Sequence, residues 1–141
     1  MNLKIQITDF ETHSNEIESV RTRVFVEEQA IPAELEFDQY DRICIHVVIF
    51  ESEDPIATGR LNLMEGGRIG RIAVLQSHRR MGLGTKIMNA LENEARKHKA
   101  NGLWFHAQEH AVPFYQTLGY ETYGELFQED GIPHIAMKKI L

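Results

Sequence analysis

The sequence is poor in the features that define several protein classes. A single cysteine, Cys44, stands among 141 residues. No disulfide can therefore form within the chain, a reducing compartment is expected, and the residue reads as a small core side chain. No apolar run approaches the roughly 20 residues of a membrane-spanning helix, and the opening MNLKIQITDF lacks the apolar core of a signal peptide. A cytoplasmic location without membrane association is the expectation. Positive charge is also scarce: 15 Lys and Arg against 21 Asp and Glu give a formal net charge of −6, the wrong sign for a general nucleic-acid binder. Repeats, low-complexity tracts and Pro/Gly/Ser-rich linkers are absent, so residues 1–141 read as a single domain.

What is present is a change of hydrophobic period along the chain. LKIQIT alternates as a half-buried strand. Ile17, Val20, Val24 and Phe25 then recur at helical spacing, with Asp9 or Ser14 as the candidate cap. PAELEFDQYD, acidic and headed by Pro32, reads as a loop. ICIHVVIF, IATGRLNLM and RIGRIAVL read as three strands of an antiparallel meander, separated by SEDP and by the Gly66–Gly67 turn. From Gly84 to Lys99 the period becomes helical, with Ile87, Met88, Leu91 and Ala95 on one face and Asn101–Gly102 as the stop. LWFHAQ is a short strand and AVPFYQTL a short helix, with Pro113 in its first turn and Gly119 at its end. ETYGELFQ and HIAMKKI form a last pair of strands about EDGIP. The pattern predicts an α/β protein with a mixed sheet.

The stretch SHRRMGLGTK, between the third strand and the long helix, carries the chemistry. It does not fit a P-loop, because Gly84 is followed by Thr85 before Lys86 and the upstream glycine is missing. It lacks the third glycine of a dinucleotide fingerprint. Arg79-x-x-Gly82-x-Gly84 instead turns successive backbone N–H groups inward, with glycines that admit a bulky anion. The helix start adds free N–H groups and the positive end of its dipole, and Arg79 or Arg80 adds charge. Such a site suits a pyrophosphate.

RIAVLQSHRRMGLGTKIM resembles the acetyl-CoA-binding motif of the GNAT superfamily of N-acetyltransferases, whose pattern is Q/R-x-x-G-x-G/A. LWFHAQEHAVPFYQTLGYE resembles that family's following strand and its A-x-x-F/L-Y-x-x-x-G-F/Y helix. The two motifs stand in the family's order and separation. RTRVFVEEQ, EFDQYD and EDGIPHIAM extend the resemblance to the ElaA/YjcF-like branch and to nearly the whole chain. The resemblance implies the GNAT fold: a mostly antiparallel sheet with a central, splayed parallel strand pair, flanked by helices.

It also implies roles. Ile72, Ala73 and Val74 would bind the pantetheine arm through backbone groups, and an N–H near Val74 would polarise the thioester carbonyl. The amides of Arg79, Arg80, Met81, Gly82, Leu83, Gly84 and Thr85 would take the pyrophosphate of acetyl-CoA. Arg80 stands where glycine is frequent, and Gln108 where many relatives carry a cofactor-contacting asparagine. Tyr115 would lie near the cofactor sulfur as the acid for the departing thiolate; its alternative is packing of a short helix onto the sheet. Candidates for the base are Glu28, Asp38, Asp41, His46 and His134. A structural role is the commoner one for a histidine in an apolar strand such as His46. His134 could equally hold its turn, and Glu28 could be a solvated helix end. The histidines at 13, 78, 98, 106 and 110 show no ligand spacing, so no metal is expected.

The reaction implied is direct transfer of acetyl from acetyl-CoA to an amine of a small-molecule or peptide acceptor in a ternary complex. A small-molecule amine is the expected partner, and the acidic stretch from Glu34 to Asp41 would suit a cationic acceptor, although such a run is commonly a solvated face. The alternative is a module that binds acetyl-CoA and reports on it with little catalysis; a nucleotide-binding protein is a third reading. An edge strand or the C-terminal hairpin offers a surface for a homodimer.

Overall fold

A computed structural model describes residues 2–141. β1 (Leu3–Thr8) leads to a turn in which Asp9 Oδ1 accepts from Thr12 N–H at 2.7 Å. α1 (Ser14–Arg21) follows, and no side chain caps it: His13 occupies the cap position, and neither Asp9 nor Ser14 serves as expected. The helix continues as a wider π coil over Thr22–Glu28, with Gln29 N–H donating to Val24 O. Such wide turns recur at functional sites. Here the coil delivers Glu28 and Gln29 to one end of the sheet.

The acidic stretch is a correction. It forms a short α2 (Ala33–Glu36) and a 3₁₀ turn over Gln39–Ile43, where an open loop was expected. Glu36 and Asp41 are only 2% exposed. The reason is three arginines from elsewhere. Arg21 donates to Glu36 at 2.8 Å and to Asp41 at 2.7 Å. Arg60 grips Asp38 at 2.8 and 2.9 Å and Asp41 at 2.7 Å. Arg71 donates to Asp38 at 3.2 Å and to the Glu36 carbonyl at 3.1 Å. Burial alone would push the Asp38 and Asp41 carboxyls up, but the arginine hydrogen bonds and charges outweigh it and hold both below their ordinary value.

β2 (Ile45–Glu51), β3 (Asp54–Asn62) and β4 (Arg68–Val74) form the expected meander. Cys44, just before β2, is buried, and burial pushes its thiol up to about 11, as suits a core residue. α3 (Leu83–Lys97) carries Ile87, Met88, Leu91 and Ala95 into the core. It stops before Asn101–Gly102, contrary to the sequence reading. Lys99 takes the left-handed conformation at φ 59°, and the N–H groups of Lys99 and Ala100 close on the Arg96 and Ala95 carbonyls at 3.0 Å, a Schellman ending built without glycine.

β5 (Gly102–Gln108), α4 (Val112–Thr117), β6 (Glu121–Glu129) and β7 (Ile132–Ile140) complete the chain. One seven-stranded sheet runs β1-β2-β3-β4-β5-β7-β6. Only β4 and β5 are parallel, joined by the α3 crossover. Their ladder holds a single register pair, Arg68 with Trp104, near the start of both strands. Beyond it they part.

A bulge contributes to that parting. β3 pairs Arg60 with Gly70 and Thr58 with Ala73, so Arg71 and Ile72 together oppose Gly59. Arg71 sits at φ 52°. Bulges of this kind bend a strand and increase its twist, and the Arg71 contacts to the acidic segment pin the bend. Arg60 faces that segment, whereas a Cβ on the preceding residue, Gly59, would stand 2.7 Å from Ile87 Cγ2. The acidic segment and α3 thus cover opposite faces of the sheet.

Candidate active site

The gap between β4 and β5 organises the site. Leu75 N–H donates to Ile56 O at 2.9 Å on the β3 side. Because successive amides alternate sides along a strand, those of Val74 and Ile72 point into the gap, and that of Ala73 points toward β3. At the end of β4 the chain turns through Gln76–His78 into the glycine loop.

That loop is shaped by two left-handed residues, Arg80 at φ 64° and Gly82 at φ 78°. The first is the position where glycine is frequent in the resembled motif, and here an arginine adopts the glycine conformation. A Cβ on Gly82 would meet nothing within 4 Å, so its surroundings are open to a ligand. Gly84 serves a different purpose. A Cβ there would stand 3.1 Å from Phe114 Cζ, so this glycine lets α4 pack against the start of α3. The N–H groups of Leu83, Gly84 and Thr85 begin a 15-residue helix and have no carbonyl four residues back in that helix to receive them. Its first turn holds no acidic residue. This donor set fits a pyrophosphate.

Arg79 does not point away from the protein. Its Nη2 donates to Glu28 Oε1 at 2.6 Å, its Nη1 to Glu28 Oε2, and its Nε to Val74 O at 3.1 Å. The Arg79 hydrogen bonds hold the Glu28 carboxyl below its ordinary range. Glu28 is thus the clamp that joins the first helix to the glycine loop. On the other side of the gap, Gln108 at the end of β5 donates to Gln29 Oε1 at 3.0 Å and accepts from His110 Nε2 at 2.8 Å.

Tyr115 packs behind β5, its ring 4.5 Å from Phe105 and 5.0 Å from Phe114. It is 9% exposed, and burial pushes its phenol up to about 12, so the hydroxyl keeps its proton at neutral pH. His134 lies across the ladder from Gln108. Its Nδ1 donates to Ile132 O at 2.7 Å, which leaves Nε2 as the nitrogen able to take a proton. His46 stands apart. It is 1% exposed beneath the acidic segment, donates through Nε2 to Asp41 O at 2.8 Å, and is held below its ordinary value by burial. Asp38 and Asp41 are likewise committed to arginines.

The structure therefore sets Glu28, Ile72, Val74 and Arg79–Thr85 on the β4 side of the gap and Gln108 on the β5 side. His134 stands one strand further on beside Gln108, Tyr115 packs on β5 from behind, and His46, Asp38 and Asp41 lie outside. Sequence reasoning missed Gln29, His106 and Glu129. His106 was legible by strand alternation, which puts Trp104, His106 and Gln108 on one face. Glu129 was legible from the tight Asp130–Gly131 turn, which brings it back toward His134.

Comparison with known proteins agrees with this geometry. The family model described as acetyltransferase (GNAT) domain matches residues 10–141. The chain belongs to the GNAT acetyltransferase family. Within that family it is 44% identical over 122 residues to a Bacillus subtilis protein named as the uncharacterized N-acetyltransferase YjcF, covering 85% of this chain and 87% of that one. Among solved structures, an acyl-CoA N-acyltransferase from Pseudomonas aeruginosa superposes with a TM-score of 0.88 at 27% identity, covering 98% and 99% of the two chains. Escherichia coli ElaA gives 0.89 at 24% identity, with 98% and 99% covered, a likeness of fold. As a GNAT enzyme the chain is an N-acetyltransferase. Among the described residues, no helix is long and apolar enough to cross a membrane, and no group of three His, Cys, Asp or Glu side chains could hold a metal ion.

Proposed function

We propose that the protein transfers acetyl from acetyl-CoA to an amine of a small molecule by direct attack in a ternary complex. The observation that carries this reading is the gap between β4 and β5, with the Val74 amide directed into it and the glycine loop at its mouth. The thioester of the donor supplies an activated acetyl group. The Ile72 and Val74 backbone groups bind the pantetheine arm along β4, and the amides from Arg79 to Thr85 take the pyrophosphate. The Val74 N–H is a fixed dipole for the carbonyl oxygen as negative charge develops there. Tyr115, its proton retained by burial, donates to the departing sulfur. His134 Nε2 receives the proton that the attacking amine gives up. Glu28 serves as the partner of Arg79, and His46 as a structural histidine.

The test is incubation with acetyl-CoA and a panel of amines, read by thiol release and product mass. Acetylated amine with stoichiometric thiol is the expected result. Tight acetyl-CoA binding without turnover would replace the enzyme reading with that of a cofactor-sensing module. Tyr115→Phe keeps the ring against Phe105 and should lower kcat about 100-fold, with acetyl-CoA affinity nearly unchanged by calorimetry. Full activity in that variant would remove Tyr115 from the mechanism.

A further inference from the structure

The exposed face of β5, β7 and β6 beside the gap carries a carboxylate unlike its neighbours. Trp104, His106 and Gln108 share this face with His134 and Phe127, as the ladder pairs Gln108 with His134 and His134 with Phe127. Glu129, at the end of β6, folds back over it. Its Oε1 accepts from His106 Nδ1 at 3.1 Å, and its Oε2 lies 3.5 Å from His134 Nε2. Arg68 Nη2 is also 3.5 Å from His106 Nδ1. One nitrogen cannot both donate to the carboxylate and accept from the guanidinium, and the shorter contact assigns its proton to Glu129.

On the same face nearer β3 and β4, the buried acidic segment and Glu65 are neutralised by arginine. Glu36, Asp38 and Asp41 pair with Arg21, Arg60 and Arg71, and Glu65 pairs with Arg68. Among the described residues, Glu129 has imidazoles for partners and no lysine or arginine. Its side chain is 39% exposed, and an ionised carboxylate has about four acceptor positions, more than the one N–H of His106 fills. Rings lie beside it: Phe127 stands 4.8 Å from His106 edge-on and stacks on His134 at 6.0 Å, whereas the Trp104 face is already covered by the Arg68 guanidinium at 4.9 Å. An unneutralised carboxylate among aromatic faces is the chemistry that recognises an organic ammonium.

We propose that Glu129, with His106 and Phe127 beside it, is the acceptor-recognition site and binds a second cationic group of the acceptor, so that the preferred substrate is a short diamine. The inference rests on the acetyltransferase reading above, because it takes the β4–β5 gap as the place of transfer. Glu129 reaches His106 on β5, the strand that borders the gap. The second cation therefore binds within about 10 Å of the reacting amine, one to two strand spacings. In the acidic stretch from Glu34 to Asp41, which the sequence offered for this role, Glu36, Asp38 and Asp41 are occupied by the protein's own arginines.

The experiment compares 1,4-diaminobutane with 1-aminobutane as acceptors for the wild type, Glu129→Gln and Glu129→Asp. The wild type should prefer the diamine in kcat/KM. Glu129→Gln should cut that preference about tenfold, the loss of one charge-assisted hydrogen bond, and Glu129→Asp should restore part of it. No preference in the wild type, or a preference that survives Glu129→Gln, would overturn the proposal. Calorimetric binding of 1,4-diaminobutane to the protein loaded with coenzyme A separates the two readings. Binding lost in Glu129→Gln, even with no turnover on any amine, supports the site while the transferase reading fails. Diamine binding equal in both proteins, or absent from the wild type, sinks the site.

Discussion

At the scale of single residues, the glycine loop shows a cost accepted for shape. Arg80 holds a left-handed conformation that glycine would adopt without strain. A non-glycine residue there costs roughly 1–2 kcal/mol, and glycine returns part of this through its more flexible unfolded chain. Arg80→Gly should therefore raise stability by about 0.5–1 kcal/mol in urea denaturation. The same change removes a cation next to the anion site, so acetyl-CoA affinity should fall about threefold at low ionic strength and less in salt. An increase in both stability and affinity would contradict this account. The loop itself was legible in the sequence, because its glycine spacing is local. The state of the carboxylates was not. Arg21 lies 15 and 20 positions from Glu36 and Asp41, and Arg60 lies 22 positions from Asp38. An acidic run reads as a solvated face until the fold supplies such partners.

At the scale of elements, α3 and α4 meet where Gly84 faces Phe114. Gly84→Ala gains helix propensity of at most about 1 kcal/mol but forces Phe114 outward by a few tenths of an ångström. The two effects nearly cancel in stability, which should change by less than about 1 kcal/mol in thermal denaturation. They do not cancel in function. Tyr115 is the next residue of α4 and moves with Phe114, so kcat should fall several-fold while the fold persists. Unchanged turnover would separate α4 packing from catalysis. The strands and the long helix were readable because their periods of two and 3.6 are written in neighbouring residues. The bulge at Arg71 was not, since it arises from contacts between distant segments, and the parting of β4 from β5 was expected only through the family resemblance. The end of α3 was misplaced for a related reason: Lys99 assumes the conformation that the sequence assigned to glycine.

At the scale of the whole molecule, buried titratable groups set how the fold meets acid. Burial holds His46 below its ordinary value of 6.5. The unfolded chain therefore binds a proton there first, and stability should decline as pH falls below about 6.5, until the folded imidazole also titrates. Asp38 and Asp41 are held below 3.8 by Arg60 and Arg21 against the effect of burial. Their contribution is complete above that value and is lost as pH falls through their lower folded values. Urea midpoints measured from pH 8 to pH 2 should show both declines. His46→Gln, which retains a donor for the Asp41 carbonyl, should flatten the first and keep the second. A variant with both declines intact would clear His46 of the effect.

The arginine–carboxylate cluster also bears on how this sequence can change. Removing one member of a buried ion pair leaves its partner charged and unmatched, whereas exchanging the whole set for apolar residues of similar volume can be neutral. Arg21, Glu36, Asp38, Asp41, Arg60 and Arg71 are therefore bound to one another as a mutational unit. Each restricts what the others can become. Drift at these six positions must proceed by paired substitutions, and their persistence along a lineage would record mutual dependence without any contact to substrate.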